Sequence, residues 1–200
     1  MDESSWATDC STTSVTDSSG NGLNGAPCPN GSATTVTTGK FGNSGSFDGT
    51  DDYVSITDPG TDSVLDLSSL SGSVWIYMTS DPTGWRDVFT KGSSNYMALT
   101  IDGDTNNNIR FSFLNGTYSP DAISPALAAN QWYHVAFTWD NASKTNTLYL
   151  NGEQVASGTN LNSPSLPQDN LPFYIGAYEG NSEFFPGNID DLRLNNRTLT

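Results

Sequence analysis

Basic residues are scarce in this 200-residue chain. It holds seven Lys and Arg against 22 Asp and Glu, which gives a formal net charge of −15. Binding the phosphate backbone of a nucleic acid needs a patch of clustered cations, and seven scattered ones cannot form it. Long apolar runs are missing as well, and no stretch approaches the roughly 18–20 residues of a membrane-spanning helix. The chain is therefore expected to bind no nucleic acid and to insert into no membrane.

Cysteine and histidine are nearly absent too. With two cysteines and one histidine, the chain cannot assemble a zinc site of four Cys and His ligands. We expect Cys10 and Cys28 to form a disulfide that closes a polar loop; the alternative is two unrelated thiols. Such a bond indicates a secreted or cell-surface protein. The first ten residues, MDESSWATDC, lack the basic and apolar regions of a signal peptide, so a secretion signal is expected to lie outside this stretch.

Strong helix formers are few, whereas strand and turn residues are abundant. The chain contains four Glu, four Arg and three Lys, but 26 Ser, 23 Thr, 20 Asn and 19 Gly, a composition typical of strands and turns. Five Trp, eight Tyr and nine Phe supply enough aromatic surface for a core, which argues against disorder. Short helical turns are expected only at residues 63–70 and 125–130. Alternating and β-branched stretches predict an antiparallel sandwich or barrel with strands at residues 33–38, 44–48, 52–57, 72–80, 85–91, 96–102, 107–114, 132–140, 145–151, 153–157, 172–177 and 186–195.

The stretch 132–139, WYHVAFTW, shows this alternation best. Both of its faces carry aromatic residues, which predicts a central strand that is covered on both sides. His134 is then expected to be a structural residue, hydrogen-bonded within the sandwich.

Five blocks of sequence resemble one known family. In chain order they are TDSSGNGLNG (16–25), GKFGNSGSFDGTDDYV (39–54), WYHVAF (132–137), LYLNGE (148–153) and FPGNIDDLRL (185–194). Together they resemble the laminin-G-like, concanavalin A-like jelly-roll domains of bacterial surface and secreted proteins. The resemblance implies an all-β fold of two antiparallel sheets, in a single domain over residues 1–200 that is part of a longer protein. This scaffold serves lectins, carbohydrate-binding modules, adhesins and some glycanases, so the fold alone does not choose a function.

A calcium site is the most specific expectation. Ca²⁺ binds six to eight oxygen ligands, and 18 of the 22 acidic residues are Asp. The Gly-rich loop after Asp17 offers a carboxylate and the amide of Asn21, and the resemblance implies that this loop lies beside the last strand. There Asp190 is expected to face inward with the strand's leucines, leaving Asp191 on the surface. We predict calcium at Asp17, Asn21 and Asp190; the alternative is that Asp17 and Asn21 cap turns and Asp190 accepts backbone N–H groups.

A second acidic cluster, Asp48, Asp51 and Asp52, lies in the segment FDGTDDYV. Asp48 precedes Gly49, a pair that favours a hairpin turn. We expect these acids to be exposed on that turn, with a second metal site as the less favoured alternative.

Proteins bind sugars in water with exposed aromatic rings next to side chains that form hydrogen bonds with the hydroxyl groups. Three segments offer this combination: DPTGWRDVF, NGTYSP and YEGNSEFF. The candidate ligand-binding residues in them are Trp85, Arg86, Tyr118, Tyr178 and Phe184.

These features predict a non-catalytic, calcium-stabilised extracellular module whose first candidate partner is a glycan. The alternative is a structural or adhesive domain of a surface protein or filament, with a protein partner. A glycan-degrading enzyme is the least favoured reading. Glycanases on this scaffold usually carry a Glu-x-Asp-x-x-Glu strand, and none of the four glutamates lies in that pattern.

Overall fold

The computed structural model describes residues 2–29, 35–60, 63–93, 95–115, 122–159 and 169–199. Over these ranges the chain forms fourteen strands and no helix. Consequently this part of the chain contains no helix that is long and apolar enough to cross a membrane. The strands are β1 (Gly25–Cys28), β2 (Thr35–Thr38), β3 (Asn43–Asp48), β4 (Tyr53–Ile56), β5 (Leu70–Met78), β6 (Trp85–Gly92), β7 (Asn95–Asp102), β8 (Asn108–Asn115), β9 (Ala122–Ala126), β10 (Trp132–Asp140), β11 (Thr145–Leu150), β12 (Glu153–Thr159), β13 (Phe173–Ile175) and β14 (Pro186–Asn195).

The strands form two antiparallel sheets of seven strands each. The first sheet has the order β1-β4-β13-β6-β7-β8-β9, and the second has the order β12-β11-β10-β5-β14-β3-β2. Consecutive strands β3 and β4 lie in different sheets, so the turn between them crosses from one layer to the other. The two sheets pack face to face as a jelly-roll sandwich, which confirms the predicted all-β fold.

Alternate residues of both sheets fill the space between them. In β10 every second side chain is buried. Phe137 of this strand contacts Phe111 and Phe89 of the first sheet, with ring centroids 4.3 and 5.4 Å apart. Trp139 packs on Phe113 at 4.6 Å. The intervening residues of β10 are only half-buried, so the prediction that this strand is covered on both faces is wrong.

Two edge strands and the predicted helical turns differ from expectation. β1 and β9 lie at the two edges of the first sheet and were not predicted. The predicted helical turn at 125–130 begins within β9, and the one at 63–70 is an open stretch with a hydrogen-bonded turn from Ser63 to Asp66. Pro125 fits β9 because an edge strand can lack one backbone donor. The first two residues of the predicted strand 33–38 lie outside the described residues.

The predicted disulfide between Cys10 and Cys28 is confirmed. It joins the N-terminal segment to the end of β1 and encloses the loop after Asp17. The buried ring of Trp6, from the same segment, lies over Gly45 of β3, where any side chain would collide with it. The N-terminal segment is therefore fixed to both sheets.

A buried ion cluster holds two connections against β6. Lys91 Nζ lies 2.8 Å from Asp58 Oδ2 and 2.6 Å from Asp169 Oδ1. The Lys91 and Asp58 side chains are almost fully buried. Because Asp58 follows β4 and Asp169 precedes β13, the cluster fixes both connections on one strand.

Candidate functional site

The outer face of the first sheet gathers polar and aromatic side chains from β6, β7 and β8. The register pairs Trp85 with Asp102 and Asp87 with Thr100, and Thr100 in turn with Arg110. Residues that are directly opposite in an antiparallel sheet lie on the same face. We call the group of Trp85, Asp87, Thr100, Asp102 and Arg110 the Trp85 face. Trp85 and Arg110 lie at its surface, whereas the other three residues are buried beneath them.

Arg110 organises the Trp85 face. Its Nη2 donates to Asp102 Oδ2 at 2.6 Å, and its guanidinium carbon lies 5.1 Å from the centroid of the Trp85 ring. The ion pair holds the guanidinium in place, and the ring gains a cation–π contact. Trp85 remains 36% exposed, which is unusual for so large an apolar side chain. The result is a partly exposed aromatic ring beside a guanidinium group that is held in place.

The 178–185 loop borders this face. The backbone N–H of Asp87 donates to the Glu183 carbonyl at 2.8 Å, which attaches the loop to β6. The Tyr178 hydroxyl donates to the Ser93 carbonyl at 3.2 Å. Burial, and secondly the charge of Glu179, raise the pKa of Tyr178 to about 12.

Asp87 lies beneath the surface of the Trp85 face. It is only 1% exposed, and its Oδ1 accepts the Thr100 hydroxyl at 2.6 Å. Its Oδ2 has no hydrogen-bond partner among the described residues. Burial, and secondly the charge of Glu183, raise the pKa of Asp87 well above its ordinary value. Burial also raises the pKa of Glu183, against the effect of Arg86.

The predicted ligand-binding residues do not all lie on the Trp85 face. Trp85 lies on the Trp85 face, and Tyr178 in the loop that borders it. Arg86 donates its Nη1 to the Trp85 carbonyl at 2.7 Å, and Phe184 is half-buried in the loop. Tyr118 lies outside the described residues.

Arg110 and Asp102 belong to the candidate site, and the sequence analysis did not single them out. The signal was available, because a hairpin through the residues after Asp102 pairs it with Asn108 and brings Arg110 to the same face. Using that signal requires the register of two hairpins, which composition and motifs do not supply.

The predicted calcium ligands of the N-terminal loop have partners within the loop. Asp17 Oδ1 accepts the backbone N–H of Ser19 at 2.9 Å, and its Oδ2 accepts the Ser19 hydroxyl at 2.8 Å and the Leu23 N–H at 3.0 Å. Asn21 donates its side-chain amide to the Ser19 hydroxyl at 2.9 Å. These bonds give both residues the role of turn caps.

Asp190 lies on the outer face of β14, so the prediction that it faces inward is wrong. It pairs with Trp75 on that outer face, whereas its neighbour Ile189 is in the core. Its Oδ2 accepts the backbone N–H of Phe41 at 3.0 Å, from the turn before β3. A bulge at Asp191, with φ of 49°, shifts the strand by one residue and turns the following leucines inward.

The loop after Asp17 does lie beside the end of β14. Asp17 and Asn21 line a cavity of about 710 Å³ together with residues 191–196 and apolar side chains of both sheets. The acid of β14 that lines this cavity is Asp191, whose Oδ1 is 2.9 Å from Arg193 Nε.

A different set of acids comes together in the turn between β3 and β4. Asp48, Asp51 and Asp52 each offer a carboxylate oxygen, and these atoms lie within 4.8 Å of one another. Such an arrangement can hold a cation, and it is the only group of three or more acidic, His or Cys side chains of this kind among the described residues.

The outer face of the second sheet carries a row of aromatic rings that contact each other. Trp75 packs on His134 at 5.0 Å and on Phe41 at 5.8 Å between centroids, and Tyr77 packs on Trp132 at 5.5 Å. His134 therefore lies on an outer surface, and the expectation that it is bonded within the sandwich is wrong. Burial against this row lowers the pKa of His134.

Comparison with known proteins identifies the class of this chain. Residues 48–200 match the family described as the concanavalin A-like lectin/glucanases superfamily. The chain belongs to that superfamily. No curated protein sequence matches the chain significantly.

Solved structures with the same fold include several carbohydrate-related domains. Domain 4 of AbnA, an extracellular GH43 arabinanase from Geobacillus stearothermophilus in complex with arabinotriose, is 23% identical, with 90% of this chain and 85% of that one covered and a TM-score of 0.74. The CBM40 of Ruminococcus gnavus IT-sialidase, bound to α2,6 sialyllactose, is 16% identical over 73% of this chain and 92% of that one, with a TM-score of 0.58. A pentraxin from Limulus polyphemus is 17% identical over 78% and 76%, with a TM-score of 0.58. These likenesses establish the shared fold.

Proposed function

We propose that this chain is a non-catalytic extracellular carbohydrate-binding module and that the Trp85 face holds the glycan. The observation that carries the proposal is the contact of Arg110 with both Trp85 and Asp102. A pyranose or furanose ring presents an apolar side, which stacks on an aromatic ring, and hydroxyl groups, which bond to fixed polar atoms. The Trp85 face offers both at one place, and the complexes of two neighbours with oligosaccharides agree with this use of the fold.

The aromatic row on the second sheet fits a glycan less well. The Trp75 ring contacts His134 and Phe41, and Lys40 Nζ lies 4.7 Å from its centroid. Trp132 in turn packs on Tyr77. These rings therefore use much of their surface for each other, which favours the Trp85 face as the binding surface.

We further propose that the glycan is neutral. The chain carries a formal net charge of −15, which repels an anionic sugar at long range. On the Trp85 face the charge of Arg110 is already paired with Asp102 at 2.6 Å. An acidic sugar would therefore find no unpaired cation among these five residues.

The burial of Asp87 supports a non-catalytic role. Glycoside hydrolysis needs two carboxyl groups about 5–10 Å apart on opposite sides of an accessible bond. Asp87 has the raised pKa of a general acid, but at 1% exposure a substrate cannot reach it. We interpret it as a positioning residue beneath the surface.

An extracellular location and a calcium site complete the proposal. The disulfide between Cys10 and Cys28 supports an oxidising environment. Calcium at Asp17, Asn21 and Asp190 stays a prediction, since the first two cap turns and the third bonds to Phe41. Calcium titration of the Asp17→Asn variant tests it, because a site at this loop should lose affinity when the Asp17 carboxylate is removed.

The proposal is tested by a glycan array followed by affinity measurements on the best neutral oligosaccharide, with arabinotriose and sialyllactose as reference ligands. Trp85→Ala should weaken binding at least about tenfold, or about 1.4 kcal/mol, because the stacking surface is lost. The control is Trp132→Ala on the opposite side of the sandwich, which should change affinity by less than about twofold.

Three results would contradict this function. The array could show no glycan binding while a surface protein is bound, which would favour the adhesive alternative. Equal losses in both tryptophan variants would place the site elsewhere. Release of reducing sugar from a bound polysaccharide would show an enzyme.

A further inference from the structure

The turn between β3 and β4 concentrates negative charge where the chain passes from the second sheet to the first. Asp48 is the last residue of β3, and Asp51 and Asp52 immediately precede β4. Their three nearest carboxylate oxygens lie within 4.8 Å of one another. Within the described residues none of the three acids forms an ion pair. At this spacing the three carboxylates repel one another, and a bound cation would reduce that repulsion.

Hydrogen bonds inside the turn orient these carboxylates. Asp48 Oδ1 accepts the backbone N–H of Thr50 at 2.7 Å and that of Asp51 at 3.3 Å. Asp52 Oδ2 accepts the backbone N–H of Asp48 at 2.9 Å. Each bond engages one oxygen and leaves the other oxygen of the same carboxylate free to bind an ion.

The environment of Asp52 Oδ1 is the strongest argument for a bound cation. Asp52 is only 7% exposed, and its Oδ1 is buried without a hydrogen-bond partner among the described residues. A buried, unpaired carboxylate oxygen costs folding free energy unless a donor or a cation meets it. The turn thus holds an oriented, unsatisfied oxygen that points to a ligand.

We propose that Asp48, Asp51 and Asp52 form a calcium site. The site offers only oxygen ligands, which suit a hard cation, and it lacks the nitrogen or sulfur ligands that favour zinc. Ca²⁺ accepts an irregular set of carboxylates and fills the remaining positions with water, whereas Mg²⁺ demands a nearly ideal octahedron. This site is separate from the one predicted at Asp17, Asn21 and Asp190.

The ion would connect three elements of the sandwich. It binds the turn that joins the two sheets, and Gly49 at its tip, with φ of 78°, packs against Pro186 at the start of β14. A Cβ at Gly49 would lie 2.9 Å from Pro186 Cβ, so the contact admits no side chain. Calcium at this turn would therefore hold β3, β4 and β14 together at one end of the domain.

The test is a CaCl₂ titration by isothermal calorimetry of metal-stripped protein. The unsubstituted chain should bind calcium with a Kd on the order of 0.1–1 mM, as extracellular modules do. Asp52→Asn should weaken this binding at least about tenfold, because the amide keeps the shape but loses the charge. Asp48→Asn, at an exposed position that leaves the fold intact, should also weaken it. The control Asp17→Asn should leave this site unchanged.

Two results would overturn the proposal. One is calcium binding of unchanged stoichiometry and affinity in both Asp48→Asn and Asp52→Asn. The other is the absence of any binding up to about 10 mM calcium, beyond the range of such modules. The first result, together with loss of calcium binding in Asp17→Asn, would assign the ion to the N-terminal loop instead.

Discussion

Asp87 shows how a single residue shapes the Trp85 face. The register of β6 against β7 shifts by one residue between Asp87 and Phe89. In a regular strand these two residues would lie on the same face. Because of the shift, Asp87 lies beside Thr100 on the outer face, while Phe89 packs in the core. The carboxyl group is then buried with one bonded and one unpaired oxygen. Such a group favours its neutral form, because the charged form loses its hydration.

Removing this charge should change the pH dependence of stability. The folded state holds the proton of Asp87 more tightly than the unfolded chain, so stability falls as pH rises from the ordinary pKa of 3.8 to the raised pKa. Asp87→Asn should abolish that fall. Its stability relative to the unsubstituted chain should grow by up to about 1.4 kcal/mol per pH unit in this window.

Urea unfolding between pH 3 and 8 measures the effect. Glu153→Gln, at an exposed position, is the control and should follow the unsubstituted chain at every pH. Parallel stability curves for Asp87→Asn and the unsubstituted chain would show that Asp87 titrates normally.

At the scale of elements, the buried cluster around Lys91 fixes the connections that flank the first sheet. Two acids from distant parts of the chain meet one cation of β6. Lys91→Met should lower the free energy of unfolding by about 3–5 kcal/mol, because it leaves two carboxylates without their partner. Denaturant unfolding checks this value.

The matched control for Lys91→Met is a variant that removes an ion pair at the surface. Arg193 Nε lies 2.9 Å from Asp191 Oδ1, with side chains 68% and 37% exposed. Arg193→Met should therefore cost less than about 1 kcal/mol. Similar losses in the two variants would mean that the Lys91 cluster contributes no more than an exposed pair.

The alternation of apolar and polar residues predicted most strands. It failed where the pairing of a strand does not follow its local sequence pattern. Central strands such as β10 alternate clearly, and their positions were predicted closely. β1 and β9 are short edge strands with proline, so their pairing depends on neighbours that the local sequence does not reveal. The orientation of Asp190 was missed for a related reason, because the bulge at Asp191 interrupts the alternation.

In the candidate site, the sequence predicted Trp85 and Tyr178 as aromatic residues next to polar ones. It did not predict which side chains surround them, because tertiary structure determines those contacts. Arg110 reaches Trp85 across β7, so the contact follows from the register of three strands. The acidic cluster of Asp48, Asp51 and Asp52 was a weak signal for the same reason. Its acids are adjacent in sequence, whereas the burial of Asp52 appears only when both sheets are in place.

At the scale of the whole molecule, the disulfide connects the N-terminal segment to the first sheet. The double variant Cys10→Ser, Cys28→Ser should lose about 3 kcal/mol of stability, because a loop of 18 residues is no longer closed in the unfolded chain. Thermal unfolding of the variant and of the reduced chain should give the same lowered midpoint. Two free thiols in the native unsubstituted chain would remove the basis of this prediction.

The central claim is that the outer face of the first sheet binds a neutral glycan. The most direct measurement is an NMR titration of the labelled chain with the tightest neutral oligosaccharide of the array. The account predicts that amide shifts concentrate in β6, β7, β8 and the 178–185 loop, with the Trp85 indole among the most affected signals. Shifts confined to β5 and β10 around Trp75 and Trp132, or no shifts at saturating sugar, would contradict it.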